Sequence, residues 1–115
     1  KAWRRIKLSM RIRATGTTAG NIQERLGFMK QFPINTMQAE LVREPENPFD
    51  KNAIKIVIHL RSINRKTVIG HVPRGLAAGL AAVIDAGIQA KVELLQILGG
   101  YSYKENYGCL LNISI

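Results

Sequence analysis

The sequence predicts a mainly β domain, a small curled sheet or barrel that carries two helices. Six short segments have the composition or alternation of strands, and two have apolar residues at helical spacing. The helices do not alternate one for one with the strands, which disfavours a doubly wound parallel sheet. Because 115 residues supply one hydrophobic core, we expect a single domain over residues 1–115, with a basic N-terminal extension at residues 1–7.

The first half of the chain is predicted to hold three strands and one helix. Leu8–Ala14 alternates between apolar and polar residues. The residues expected to face inward are Leu8, Met10 and Ile12. Asn21–Phe32 has helical apolar spacing, and Pro33 ends this helix because proline cannot continue the hydrogen-bond ladder. The next strands are Thr36–Val42 and Ala53–Leu60, separated by the polar loop Arg43–Lys51.

The second half is predicted to hold three strands and the second helix. In order, the elements are the turn Arg61–Lys66, the strand Thr67–Val72, the helix Leu76–Ala86 and the strands Gln89–Leu98 and Gly108–Ile115. The helix is expected to begin near Pro73 and to end before Gly87, since proline suits the first turn and glycine the C-terminus of a helix. The loop Gly99–Tyr103 joins the last two strands.

Basic residues cluster in two segments of the sequence. The chain has 17 Lys and Arg residues against 8 Asp and Glu, a formal net charge of +9. Residues 1–13 hold six bases and residues 61–74 hold four, and neither segment contains an acid. An anionic partner is therefore expected. The segments form one basic stripe if the fold brings them together, and are otherwise two solvated stretches.

The loop after the second strand is the most unusual segment. Pro48 restricts its own backbone and that of Asn47, so the presentation of Phe49 and Asp50 is expected to be partly fixed. A rigid aromatic residue provides a platform on which a nucleobase can stack. The alternative is that Phe49 fills the core beneath a turn while Asp50 accepts hydrogen bonds from the main chain.

A second candidate segment runs from the fourth strand into the second helix. His71 and Arg74 lie beside the predicted helix start, where free N–H groups and the helix dipole favour a phosphate. The alternative is a histidine with a purely structural role.

These two segments together resemble the HIRAN domain. The first reads Arg-Glu-Pro-Glu-Asn-Pro-Phe-Asp-Lys-Asn-Ala-Ile over residues 43–54, and the second reads Ile-Gly-His-Val-Pro-Arg-Gly-Leu over residues 69–76. The resemblance spans about residues 37–87. It implies a six-stranded OB-like or SH3-like barrel with two α-helices that binds single-stranded DNA at a free 3′ end. The family occurs at the N-terminal side of fork-remodelling, helicase-like proteins of the Swi/Snf class and as small bacterial or phage proteins.

The resemblance implies DNA-binding roles for Asn47, Phe49, Asp50, Lys51, His71 and Arg74. Phe49 matches the stacking aromatic of the family, usually Tyr, and Asp50 matches the carboxylate that accepts a hydrogen bond from the terminal 3′-hydroxyl. Asn47 matches a polar contact in the loop that also carries Lys51. His71 and Arg74 match positions that contact phosphate.

One feature of the family is missing from this chain. Vertebrate members carry an Arg-Tyr pair just after the first strand, where this chain has Gly16-Thr17-Thr18 followed by an inserted helix. The second stacking residue is therefore open. The aromatic residues that are candidates to replace it are Phe28, Phe32, Tyr101 and Tyr103.

The expected function is a non-catalytic module that recognises single-stranded DNA at free 3′-hydroxyl ends, in DNA repair or replication-fork processing. The expected partners are single-stranded DNA or DNA 3′ ends and a helicase or nuclease, separate or fused. No cofactor, catalytic residue, metal site or membrane contact is expected. The expected location is the cytoplasm for a bacterial or phage protein and the nucleus for a eukaryotic one.

Two alternatives remain from other classes of protein. The first is a protein-interaction or structural module with a vestigial DNA pocket. The second is a metal-dependent nuclease, which needs converging carboxylates to hold Mg²⁺ and is disfavoured because the acids nearest Asp50 lie in one proline-broken loop. The single cysteine, Cys109, excludes an internal disulfide and a multi-cysteine zinc site, and is expected to fill the core.

Overall fold

A computed structural model describes residues 8–101 and 106–115 of the chain. The predicted basic extension at residues 1–7 lies outside the described residues, and so does Tyr103.

Six strands and two α-helices follow one another in the predicted order within this part of the chain. The strands are β1 (Ser9–Arg13), β2 (Met37–Arg43), β3 (Ile54–Leu60), β4 (Arg65–His71), β5 (Lys91–Leu98) and β6 (Gly108–Ser114). The helices are α1 (Ile22–Met29) and α2 (Arg74–Asp85), and a short 3₁₀ turn, Ile34–Thr36, precedes β2. The prediction of a mainly β fold with two helices is confirmed.

The strands form two antiparallel sheets, with the orders β1-β6-β5 and β2-β3-β4. One junction between the sheets is a bridge, in which Thr15 N donates to His71 O at 2.8 Å and His71 N donates to Thr15 O at 2.9 Å. At the other junction, β2 and β5 lie side by side, and a groove of about 490 Å³ runs between them. No ladder joins these two described strands. The predicted six-stranded barrel is therefore corrected to two adjacent sheets that do not close.

The core lies between the two sheets, and α1 covers one side of it. The central strand β3 supplies Ile54, Ile56 and Ile58, each fully buried, as its alternation predicts. Leu111 and Ile113 of β6 face them from the other sheet. From α1, the buried residues are Leu26 and Met29.

The predicted inward face of β1 is only partly correct. Ile12 is buried, but Leu8 is 57% exposed and Met10 is 37% exposed. The reason is that α2 does not cover this end of the strand and leaves a groove of about 230 Å³ over Met10. Leu76 of α2 lines the same groove and is also exposed.

Both helices end or begin a few residues from the predicted boundaries. α1 ends at Met29 rather than at Phe32, because Phe32 N donates to the carbonyl three residues earlier and the chain tightens into a 3₁₀ turn. α2 begins at Arg74 because Pro73 O accepts from Leu76 N at 2.9 Å, which places the proline just before the helix. Gly87 follows α2 with a φ of 84°, as expected for a glycine after a helix. None of the helices in residues 8–101 and 106–115 has the length and hydropathy needed to span a membrane.

Burial predicts that Cys109 is chemically inert in the folded protein. Desolvation raises the pKa of its thiol to about 12, and the thiolate is the form that reacts with alkylating reagents. At pH 8 we expect iodoacetamide to label the folded protein at least about 100-fold more slowly than the chain unfolded in denaturant. Equal labelling rates, followed by mass spectrometry, would show that Cys109 is accessible.

Candidate nucleic-acid interface

The loop between β2 and β3, residues 44–53, is fixed by hydrogen bonds from its own side chains. Asn47 Oδ1 accepts from the main-chain N–H of Phe49 at 2.9 Å and of Asp50 at 3.1 Å. Asp50 Oδ1 accepts from the N–H of Asn52 at 2.9 Å. The sequence analysis expected Pro48 to restrict this loop. The side-chain hydrogen bonds define the backbone of the turn more tightly than proline alone. The main chain around Phe49 is therefore held on both sides.

Arg43, the last residue of β2, anchors this loop to the rest of the molecule. Its Nη1 donates to Lys51 O at 3.1 Å and to Ala53 O at 3.0 Å. Its Nε and Nη2 donate to the two carboxylate oxygens of Asp85, at 3.0 and 3.1 Å. The hydrogen bonds from Arg43 lower the pKa of Asp85, and those to Asp85 raise the pKa of Arg43. The loop is thus fastened to the C-terminus of α2.

Phe49 projects into solvent from this loop, with 85% of the residue exposed. The alternative in which Phe49 fills the core is therefore wrong. The other half of that alternative is correct, because Asp50 does accept a main-chain N–H. Because burying an aromatic ring is favourable, the exposed ring offers a flat apolar surface on which a ligand can stack.

A shallow hollow of about 230 Å³ opens beside Phe49. Its floor is apolar, formed by the buried residues Ala53 and Val72. The polar residues that line it are Thr15, Asn47, Asp50, His71 and Arg74. The structure therefore brings together five of the six residues singled out from the sequence, Phe49 included. The sixth, Lys51, is exposed on the same loop but does not line the hollow.

A carboxylate and a guanidinium face each other across one end of the hollow. Arg74 Nη2 donates to Phe49 O at 3.1 Å, and Arg74 Nε lies 3.7 Å from Asp50 Oδ2. The Arg74 side chain is 79% exposed, whereas that of Asp50 is 22% exposed. Within the described residues, Asp50 Oδ2 accepts no hydrogen bond. One acidic oxygen and one exposed cation are therefore open to a ligand.

His71 is oriented by Glu44, a residue that the sequence analysis did not single out. His71 Nε2 and Glu44 Oε1 are 2.6 Å apart. Because an ionised carboxylate can only accept, Nε2 carries the proton in this hydrogen bond. The other ring nitrogen, Nδ1, faces the segment after β1, close to Gly16. The pairing joins residues 27 positions apart, so no local pattern reveals it.

Gly70 makes the position of His71 possible. Its φ is 147°, and a Cβ at this position would lie 2.5 Å from Thr15 O. Only glycine permits this close approach of β4 to the residue after β1. The resulting bridge places Thr15 and His71 side by side in the hollow. In the sequence, Gly70 directly before His71 is the feature that indicates the contact between His71 and Thr15.

The same bridge lies close in the chain to one end of each basic segment. Arg13 precedes Thr15 by two residues, and Arg74 follows His71 by three, so the bridge joins the backbone near one end of each segment. At the far end of the second segment, Arg61 donates to Asn35 O at 2.7 Å. Of these two segments, only Arg74 lines the hollow as a base, and the formation of one basic stripe stays a prediction, since residues 1–7 lie outside the described part of the chain.

None of the proposed replacements for the second stacking residue lines the hollow within the described residues. Phe28 lines a different groove, and Phe32 packs against the core. Tyr101 lies beneath Lys30, whose Nζ is 4.1 Å from the centre of the ring. Thr15, which directly precedes Gly16-Thr17-Thr18, lines the hollow, and Phe49 is the one aromatic residue that lines it among the described residues.

The described residues contain no group of three or more His, Cys, Asp or Glu side chains arranged to hold a metal ion.

Comparisons with known proteins give one family and one fold. The sequence profile of the HIRAN domain matches residues 8–97. A stretch of 51 residues is 43% identical to the helicase-like transcription factor of Mus musculus. That match covers 44% of this chain but 5% of the mouse protein, so the chain corresponds to a small part of that relative.

Two solved structures are similar to this one over most of the chain. The HIRAN domain of human HLTF gives a TM-score of 0.54 at 24% identity, covering 92% of this chain and 73% of that one. A protein from Lactobacillus plantarum gives a TM-score of 0.56 at 17% identity, covering 95% of this chain and 96% of that one. At these identities, the two likenesses establish the fold.

The contact between Arg43 and Asp85 predicts a specific dependence of stability on pH. Because the folded-state pKa of Asp85 is below its ordinary value of 3.8, the contact contributes stability above that pH and loses it as the pH falls through the lower value. In urea unfolding at a series of pH values, Asp85→Asn should be less stable than the wild type near neutral pH. The difference should vanish in acid.

The matched control is Glu93→Gln, which removes an exposed carboxylate that has no ion pair among the described residues. It should leave stability nearly unchanged at every pH. A stability difference for Asp85→Asn that persists at the lowest pH would contradict the assigned contact.

Proposed function

The chain belongs to the HIRAN domain family, and we propose that it is a non-catalytic module that binds single-stranded DNA at a free 3′-hydroxyl end. The observation that carries this proposal is the exposed ring of Phe49 beside a hollow lined by Asp50, His71 and Arg74. In this role the module serves DNA repair or replication-fork processing. A helicase or nuclease, separate or fused, acts on the DNA that the module holds.

Phe49 stacks on the terminal base. Base-aromatic stacking contributes roughly 1–3 kcal/mol per base and tolerates every base, because each has a π-face. The hydrogen bonds of Asn47 hold the Phe49 main chain before the ligand arrives, so less conformational entropy is lost on binding. The apolar floor of Ala53 and Val72 suits the edge of a base or sugar.

Asp50 distinguishes an end from the interior of a strand. Its Oδ1 is occupied by Asn52 N–H, while Oδ2 is open to accept a hydrogen bond from a 3′-hydroxyl. An internal nucleotide carries a phosphate in place of that hydroxyl proton, and the carboxylate repels it. Specificity then comes from the disfavoured ligand as much as from the favoured one.

Arg74 contacts the phosphate on the 5′ side of the terminal nucleotide, and His71, held by Glu44, lies beside it in the hollow. Arg74 is exposed enough to reach outward from Asp50. α2 begins at Arg74, and the first N–H groups of a helix have no acceptors within the helix, which favours an anion there. Asn47 and Lys51 lie in the loop that carries Phe49, where they add a polar contact and a positive charge. The arrangement thus offers a cation on the phosphate side and an acid on the hydroxyl side.

Two further results discriminate the alternative functions. If no single-stranded oligonucleotide binds even at low salt, a protein-interaction or structural module is favoured. If labelled single strands yield shorter products with Mg²⁺ or Mn²⁺, a nuclease is favoured.

Asp50→Asn tests recognition of the 3′-hydroxyl. The amide keeps an oxygen for Asn52 N–H but loses the negative charge, so the loop is retained. In fluorescence anisotropy, the wild type should bind a 3′-hydroxyl strand more tightly than the same strand with a 3′-phosphate, and Asp50→Asn should bind both equally. Asp50→Ala should likewise lose the preference.

The control is Glu46→Gln, which neutralises an exposed carboxylate in the same loop. It should keep the preference of the wild type. An equal loss of affinity for both strands in Asp50→Asn would refute the assigned role.

Phe49 and Arg74 should have separable effects on the salt dependence of binding. Each phosphate contact on a single strand contributes about −0.7 to the slope of log K against log salt. Arg74→Gln should therefore make the slope shallower by about 0.7. Phe49→Ala should lower affinity about tenfold with the slope unchanged, because stacking releases no counterions.

Lys91→Gln serves as the matched control, because Lys91 is an exposed base at the start of β5. It should change neither affinity nor slope. A Phe49→Ala variant that binds with wild-type affinity would contradict the stacking role.

A further inference from the structure

We propose that a second groove, between α1 and the β3–β4 hairpin, binds the part of the same strand that lies on the 5′ side of its terminal nucleotides. This inference rests on the proposed function, because it takes the ligand of the hollow to be single-stranded DNA. It assigns a role to α1, the helix inserted after the first strand. We call this site the hairpin groove, defined by Arg25, Phe28, Ile63, Arg65 and Lys66.

The hairpin groove has the chemistry of a surface for single-stranded nucleic acid. Its volume is about 440 Å³, roughly twice that of the hollow beside Phe49. Three cationic side chains line it, together with exposed apolar side chains, and no acid lines it in the described part of the chain. Cations that follow a backbone, combined with an aromatic ring, are the general means of binding single strands.

Phe28 is the stacking surface of this groove. It is 48% exposed, although aromatic residues on a helix usually turn inward. Its ring packs edge-on against Phe32, with centroids 5.2 Å apart and an interplanar angle of 61°. This contact fixes the ring while leaving part of it open to a base. Ile63, at the tip of the hairpin, is 41% exposed on the opposite side of the groove.

The cations of the groove are available to phosphates to different degrees. Within the described residues, Arg65 has no hydrogen bond or ion pair from its side chain. Lys66 lies 3.4 Å from Glu40, but both side chains are more than half exposed, so the pair is weak and a phosphate can replace the acid. Arg25 uses one N–H on Val68 O at 3.2 Å and keeps its other donors.

Strand β4 contributes residues both to the groove and to the candidate 3′-end site. Val68 lines the groove and His71 lines the hollow. His71 is three positions after Val68, which corresponds to about 10 Å along an extended strand. Proteins that bind single strands contact several nucleotides, roughly 4–16 in the case of an OB fold, which is more than a 230 Å³ hollow holds. The hairpin groove supplies the surface for the additional nucleotides.

Helix α1, which forms one side of the groove, is held in place by hydrogen bonds to its neighbours. α1 is tied on one side to β4 through Arg25 and on the other to Tyr107, whose O accepts from Gln23 Nε2 at 2.9 Å and whose N donates to Gln23 Oε1 at 2.7 Å. The groove is therefore already formed before a ligand binds, which limits the entropy lost on association.

The test compares the DNA affinities of Phe28→Ala and Arg65→Gln with three probes. Two of the probes are linear and end in a 3′-hydroxyl, and the third is circular and has no ends. The probes are a trinucleotide, a linear strand of about 12 nucleotides and a closed circular single strand. Binding of the trinucleotide should be unchanged, because it fills only the hollow. Binding of the linear strand and the circle should weaken about tenfold for Phe28→Ala, the loss of one stacked base. Arg65→Gln should reduce the salt slope for both by about 0.7.

The matched controls are Ile88→Ala, which removes an exposed apolar side chain, and Lys91→Gln, which removes an exposed base outside the groove. Both should bind all three probes like the wild type. Because Phe28 also contacts Phe32, its variant can lose stability, and Arg65→Gln keeps the test decisive in that case. Wild-type affinity of Arg65→Gln and of folded Phe28→Ala for the linear strand would overturn the proposal.

Failure of this inference is distinguishable from failure of the proposed function. Asp50→Asn should affect discrimination of 3′ ends but not binding to the circle, whereas the groove variants should do the reverse. If the wild type does not discriminate 3′ ends, the proposed function fails, and the circle still reports on the groove. If a polyglutamate peptide displaces the circle as well as an oligonucleotide of equal charge does, the groove binds acidic peptides and the inference is overturned.

Discussion

The multiple contacts of Arg43 are the constraint on which the candidate site depends. One guanidinium bonds two carbonyls of the Phe49 loop and both oxygens of Asp85, so strand β2, the loop and the end of α2 are fixed relative to one another. A planar, always charged group with five donors can do this, whereas lysine has a single point of charge. The Phe49 ring can stay exposed because the loop is held by the hydrogen bonds of Arg43 and does not need the ring as an anchor.

A second constraint sets the opposite wall of the hollow. The bridge between Thr15 and His71 joins two sheets that do not close into a barrel, and Gly70 allows the close approach that this bridge requires. The hollow lies at the junction of the sheets, between a loop fixed by Arg43 and a strand end fixed by the bridge. Ligand sites commonly form at such junctions because several elements contribute side chains there.

Much of this architecture could be predicted from local pattern. The alternation of Ile54, Ile56 and Ile58 correctly gives the buried face of β3, and the loop around Asn47 and Pro48 is readily recognised as a special turn. Long-range pairings could not be predicted, because nothing local links Arg43 to Asp85 or Glu44 to His71. The predictions of a closed barrel and of an inward-facing Leu8 and Met10 were wrong for the same reason. Both features depend on which neighbouring element covers a strand.

The central claim is that Phe49 and Asp50 together form a receptor for the last nucleotide of a strand. The most direct measurement is a crystal structure of the protein with a short 3′-hydroxyl DNA strand. We expect the terminal base against the Phe49 ring and the 3′-oxygen within hydrogen-bond distance of Asp50 Oδ2. A strand that crosses the surface elsewhere, or one whose terminal nucleotide leaves Phe49 and Asp50 untouched, would contradict the account.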